Sequence, residues 1–137
     1  MTKIWNKFTG FENMTMRIKP AEKPTHKRPQ QESLSHKAFI KLLPCLTCGL
    51  PDHSDAHHIK PACDWAGKRH SGTQKPDDCW TVPLCRKCHN ELHHHGDELA
   101  WWQAQFYGVI DQCAVAAFLW LASGDQERGE QIIRANQ

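Results

Sequence analysis

The period of apolar positions changes several times along this chain, and each change marks an element. From residue 33 to 43, Leu34, Ala38, Phe39, Leu42 and Leu43 recur near 3.6, which predicts a short helix. Ser33 or Ser35 is placed to cap it, and Pro44 ends it. A tight turn, PCLTCG, follows. Residues 54–60 (SDAHHIK) read as a strand running into Pro61, and residues 80–84 (WTVPL) as a second strand that Pro83 marks as an edge or an end. The polar connection between them, residues 61–79, is longer than a small domain needs unless it serves a function. Helices are predicted over 86–95, stopping at Gly96, over 97–107, over 111–122 and, with a weaker pattern, over 126–135.

Residues 1–32 follow no such period. Pro20, Pro24 and Pro29 interrupt any helix, and Lys19, Lys23, Lys27 and Arg28 keep the segment solvated, so it reads as a basic, partly disordered arm. Trp5, Phe8 and Phe11 in this arm are placed to dock on the body or to stack on a base. The 137 residues then divide into that arm and one domain, 33–137, whose last helices occupy 109–137. Charge follows the same division. Residues 1–41 hold nine Lys/Arg against three Asp/Glu, a balance of +6, and residues 42–137 hold eight against twelve, a balance of −4. A basic arm on a mildly acidic body suits a polyanionic partner, nucleic acid above all. No apolar run approaches the roughly 20 residues of a spanning helix, and the first residues lack an apolar signal core. Neither a membrane partner nor secretion is expected.

Seven cysteines and ten histidines are the informative excess. Cys45-x-x-Cys48 and Cys85-x-x-Cys88 form two pairs whose spacing lets both thiolates reach one tetrahedral ion, so together they predict a four-cysteine structural zinc site. The 36 residues between the pairs exceed what a simple zinc ribbon carries, which points to an insertion. Cys113 lies in an apolar helix and reads as core; Cys63 and Cys79 flank the long connection.

The histidines fall on two elements. His57 and His58 are neighbours on a strand and so point to opposite faces, which gives them different tasks. His89 and His93 lie one helical turn apart and share a face, where they can hold one ion together. His94 and His95 fall at the end of the helix and suit its negative dipole.

AHHIKP followed at a distance by WTVPLCRKCHNELH resembles the HNH (ββα-metal) endonucleases, and is most similar to small phage and prophage members of the recombination-enhancement type. The resemblance runs over residues 33–107 in order and spacing. It implies an α+β fold: a small ββα-metal core with a four-cysteine zinc knuckle pair, extra C-terminal helices and a basic N-terminal arm. It also implies that His58 is the general base and that His57, His89 and His93 hold a catalytic ion. Many members carry an Asn before the second strand that holds the base-orienting loop. Here that stretch reads KPDDCWTVPLC, and Asp78 is the nearest polar residue for the task.

The implied reaction is metal-dependent hydrolysis of DNA, with one divalent cation (Mg2+, Mn2+, Zn2+ or Ni2+) besides the structural zinc. A histidine suits proton removal from water because its ordinary pKa is about 6.5. Lys60, Lys68, Arg69 and Lys75, in or beside the long connection, are candidates for phosphate contacts. A recombinase filament is a further implied partner, the cytoplasm of a bacterial host the implied location, and no small-molecule substrate is expected. The principal alternative is a non-catalytic zinc module that binds DNA or protein. A thiol redox enzyme is a weaker rival, because zinc would occupy all four paired cysteines.

Overall fold

The computed structural model describes residues 30–71, 75–105 and 111–137. The arm up to residue 29, with Trp5, Phe8 and Phe11, lies outside the described residues, as does Phe106.

Helix α1 spans Leu34–Lys41. Of the two candidate caps the chain uses Ser33, which is extended and accepts the His36 N–H on its Oγ at 3.2 Å. The last residues of the predicted arm are tied to the body. Gln31 N–H donates to Asp77 Oδ1 at 2.8 Å, Asp78 N–H donates to Gln31 O at 2.9 Å, and Gln30 Nε2 donates to Pro76 O at 2.8 Å. The folded body therefore begins by residue 30, not at 33.

After α1 the first cysteine pair closes a knuckle in which Cys45 N–H donates to Leu50 O and Gly49 N–H donates to Cys45 O, both at 2.9 Å. Gly49 takes φ +80°, a left-handed conformation that costs a residue without Cβ little. Strand β1 (Ser54–His58) pairs antiparallel with β2 (Thr81–Cys85), His57 opposite Val82 and His58 opposite Thr81. Pro83 is tolerated because each strand of a two-stranded sheet has an open edge. Its carbonyl accepts the Leu46 N–H at 2.9 Å, which binds the first knuckle to the strand that ends in the second.

Helix α2 (Arg86–His95) starts directly after β2 and stops at Gly96. Three more helices follow: α3 (Glu98–Ala104), α4 (Gln112–Leu121) and α5 (Gln126–Ala135). Each is capped by an aspartate, Asp97, Asp111 and Asp125 respectively, whose carboxylate accepts the N–H three residues on at 3.0–3.1 Å. The helix expected over 97–107 ends at Ala104, and residues 106–110 are outside the description.

The core joins all layers. Ile40, Leu43, Leu46, Ile59, Val82, Leu84, Leu119 and Ile133 are fully buried, and Trp102 nearly so. Helix α5 approaches α1 at Gly129, where a Cβ would stand 2.8 Å from Phe39 Cζ and 2.9 Å from Leu43 Cδ2, closer than any side chain allows. Of the C-terminal aromatics, Trp101 and Trp102 pack inward, whereas Phe118 faces outward. The molecule is thus a small α+β fold. No helix among the described residues is long and apolar enough to cross a membrane.

His36, given no task by its sequence position, is fully buried in this core. Its Nδ1 lies 2.8 Å from Ser123 Oγ, its ring meets Trp120 edge-on, and its Nε2 has no hydrogen-bond partner among the described residues. Burial pushes its pKa below the ordinary 6.5, with the charge of Asp78 opposing in part. As pH falls through 6.5 the unfolded ring takes up its proton before the folded one does, so stability present above pH 6.5 is lost below it. His36→Gln, which keeps a polar group without titrating, is expected to flatten the fall in melting temperature between about pH 7 and pH 5. Parallel curves for the two proteins would remove His36 as the cause.

Candidate metal centres

Two clusters of ligand-type side chains flank the sheet. In the first, one sulfur from each of Cys45, Cys48, Cys85 and Cys88 lies within 4.8 Å of every other, so the quartet could hold a metal ion. Cys45, Cys85 and Cys88 are buried and Cys48 is exposed. The Cys45 thiol is drawn down to about 6. Burial opposes this, but Thr47 Oγ1 at 3.4 Å and nearby backbone N–H groups outweigh it. Burial, and then the negative charge of Cys45 beside it, pushes Cys88 well up. Burial and the Cys45 charge therefore disfavour the thiolates of Cys48 and Cys88, and a cation among the sulfurs would offset both effects. Cys113 is core, as its apolar helix predicts, and burial beside Cys63 raises its thiol to about 12.

The second cluster is His57, His89 and His93, which offer three ring nitrogens within 4.8 Å of one another. Strand β1 supplies the first and one face of α2 the other two, with ring centroids 4.7–5.9 Å apart. Carboxylates set two of these rings. Glu98 Oε2 lies 2.9 Å from His57 Nε2 and also accepts from Trp102 Nε1 at 3.1 Å. Asp55 Oδ2 lies 3.1 Å from His89 Nδ1. With the proton on the nitrogen that faces the carboxylate, the lone pair falls on Nδ1 of His57 and on Nε2 of His89. Burial would raise the Glu98 carboxyl, but His57, Trp102 and the Lys60 N–H together hold it below the ordinary range. Burial, and then His89, lowers the His93 pKa.

His58 points the other way along β1, as strand alternation requires, and its Nε2 lies 2.8 Å from Asp78 Oδ1. Asp78 is fully buried. It also accepts the Ser33 N–H at 2.7 Å and pairs with Lys37 Nζ at 3.7 Å. Burial alone would raise this carboxyl, yet the bonds from His58 and Ser33 and the charge of Lys37 hold it down. The His58 pKa is lowered by burial first and then by Lys75 and Lys37, against the opposing bond to Asp78. With the proton on the nitrogen that faces Asp78, the neutral ring carries its lone pair on Nδ1.

All four histidines line one cleft of about 460 Å³, with Lys37, Lys41, Lys60 and Lys75 around them. A larger and more open depression of about 980 Å³ lies on the outer face of α2 beside Arg86, Lys87 and His95, and has none of the clustered rings.

Of the four basic residues expected to meet phosphate, Lys60, Arg69 and Lys75 are exposed but Lys68 is not. Its ammonium is turned inward, donating to Pro61 O at 2.8 Å, Lys60 O at 3.2 Å and Arg69 O at 3.3 Å. It pins the long connection, together with a Cys63–Lys68 bridge and a 3-10 turn over Asp64–Ala66, and is removed from the phosphate-contact set. Asp55, Glu98, Lys37 and Lys41 are the residues the sequence reading missed. Glu98, a first-turn carboxylate four residues before Trp102, is the one with a local signal.

A two-stranded sheet feeding a helix, with a thiol quartet and an imidazole cluster beside it, defines a small α+β protein with two candidate metal centres. The chain belongs to the family described as "Protein of unknown function (DUF968)", whose model matches residues 16–118. It is 39% identical over 67 residues to "Uncharacterized protein YdfU" of Escherichia coli (strain K12), an alignment that takes in 49% of this chain and 18% of that protein. The chain thus spans less than a fifth of that relative's length. No solved structure matches it.

Proposed function

We propose that the chain is a metal-dependent HNH-type endonuclease that hydrolyses DNA phosphodiester bonds in the recombination, repair or processing of phage or prophage DNA. In this reading β1, β2 and α2 are the ββα-metal core, the thiol quartet takes zinc, and the site of action is the bacterial cytoplasm. The reading is carried by one observation: three imidazoles able to share a cation meet in a basic cleft beside a fourth, His58, that a buried carboxylate orients.

The donor sets fit the ions. Four sulfurs around zinc stand about 3.8 Å apart when each bond is about 2.3 Å, and Cys48 and Cys85 Sγ are separated by 3.6 Å. His57, His89 and His93 would hold a divalent cation, and an all-imidazole set favours zinc or nickel over magnesium. When bound, that cation would stabilise the negative charge that develops on the phosphoryl oxygens and the leaving 3′ oxygen.

The chain's own groups do the rest. Nδ1 of neutral His58 accepts a proton from water as the water oxygen attacks phosphorus in line. The bond from phosphorus to the 3′ oxygen breaks, and that oxygen takes a proton from solvent water, leaving a 5′-phosphate and a 3′-hydroxyl. Asp78 fixes the tautomer and favours the imidazolium that forms, Glu98 and Asp55 aim the rings of His57 and His89, and Lys60 and Lys75 attract the polyanion.

The test is cleavage of supercoiled plasmid and of single-stranded, duplex and branched oligonucleotides by the full chain across Mg2+, Mn2+, Zn2+ and Ni2+. Ion-dependent nicking with 5′-phosphate ends is expected. Binding without cleavage of any substrate under any of these ions would leave a non-catalytic zinc module instead.

A further inference from the structure

We propose that α1 is a phosphate rail: Lys37 and Lys41 grip the backbone of the DNA strand that crosses the histidine cleft, next to the phosphate that is cut. The identity of the polymer rests on the nuclease reading. The rail itself rests on the charge and shape of the cleft.

The lining of that cleft is one-sided. Its lysines come from three places, Lys37 and Lys41 on α1, Lys60 after β1 and Lys75 before β2, and no carboxylate lines it among the described residues. The carboxylates that touch the imidazoles, Asp55, Asp78 and Glu98, are engaged with those rings and do not line it. Four ammonium groups therefore border the space where a phosphodiester would sit. Lys60 and Lys75 were legible as basic residues in or beside the long connection. The two lysines of α1 were not, and they bring a second wall to the cleft.

Their placement on that wall is regular. Lys37 and Lys41 are four residues apart, so they stand on one face of α1, about 6 Å apart along its axis. The helix LSHKAFIK contains no acidic residue. Its opposite face is anchored by buried His36, Phe39 and Ile40, and its start by the Ser33 cap, so the lysine face cannot roll away. The helix fixes the bases of the two side chains one turn apart, so their ammonium groups can reach two successive phosphates of one strand.

Lys37 has a second attachment. Its Nζ is 3.7 Å from Asp78 Oδ2, an ion pair longer than a hydrogen bond, and an ammonium offers three donors. Lys37 thus stands between the strand and the carboxylate that orients His58, and acts as a positioning residue as well as a phosphate contact. Lys41 is exposed at the outer end of the rail and gives the cleaner test.

The experiment measures binding of fluorescein-labelled single-stranded and duplex oligonucleotides by the full chain, by anisotropy, across a sodium chloride series without added divalent cation. Lys41→Ala is expected to weaken binding about five- to tenfold at low salt and to reduce the slope of log affinity against log salt by about one, whatever the base sequence. Lys41→Arg should restore both. Lys87→Ala removes an equal charge outside the cleft and should leave both near the parent values; an equal loss there would make the effect one of net charge and overturn the rail. Unchanged affinity and slope in Lys41→Ala, or no DNA binding by the parent chain, also overturns it. Plasmid nicking is read separately on the same proteins. A parent chain that never nicks, with the slope change intact in Lys41→Ala, removes the nuclease reading and keeps the rail. Nicking with no change in Lys41→Ala does the reverse.

Discussion

His58→Ala is expected to lower metal-dependent nicking by about 10²- to 10⁴-fold while the protein stays folded and keeps its ions, because a positioned general base contributes a rate factor of that order. The geometry separates this effect from its neighbours. His58 and His57 are adjacent in sequence but face apart, one bonded to Asp78 and the other to Glu98. Removing His58 would therefore delete the proposed base without touching the three-imidazole cluster. Metal content should stay at the parent value in His58→Ala and fall by the catalytic ion in His89→Ala or His93→Ala. Asp78→Asn should lie between, with nicking down about 10- to 100-fold, since an amide keeps the shape but no longer fixes the tautomer or favours the imidazolium. Parent-level nicking in His58→Ala would mean that the activity belongs to a contaminant or that another group takes the proton.

How much of this centre could be read from the chain depended on how local its chemistry is. The two Cys-x-x-Cys pairs and the His89–His93 pair are legible because one turn or one helical step already brings their ligand atoms together. The opposite facing of His57 and His58 follows from strand alternation alone. Asp78 could be singled out as the polar residue nearest the second strand, but its bonds to His58 and Ser33 could not, since they join segments 20 and 45 residues apart. Glu98 and Asp55 act on histidines 41 and 34 residues away and needed the tertiary fold to be seen. Lys68 was misplaced for a related reason. A lysine in a polar connection reads as solvated, and only the folded connection turns three carbonyls inward to take its ammonium. The lysine face of α1 was invisible because periodicity says which side of a helix is buried, not what the other side overlooks. Spacing thus revealed the candidate ligands, and packing alone revealed what orients them.

The thiol quartet carries the second large effect, on folding instead of rate. In a chain of this size a structural zinc supplies on the order of 10 kcal/mol, comparable to the whole stability of about 5–15 kcal/mol that a domain has. The quartet is where that energy would enter. The first knuckle hangs on β2 through the Leu46–Pro83 bond, and the second opens α2, the helix that carries His89 and His93. Without a cation, burial and the Cys45 thiolate favour the protonated form of Cys88. Purified protein is therefore expected to contain tightly held zinc at the quartet. Stripping it with a strong chelator, or Cys85→Ser, should abolish the cooperative thermal transition seen by circular dichroism, and zinc should restore it only in the former. Cys113→Ala, buried but outside the quartet, should cost only about 1 kcal/mol. His89→Ala should leave the transition in place while its metal content falls. The structural assignment fails if the chelated chain melts within a few degrees of the parent, since the sheet and α2 would then hold together without any ion joining the cysteines.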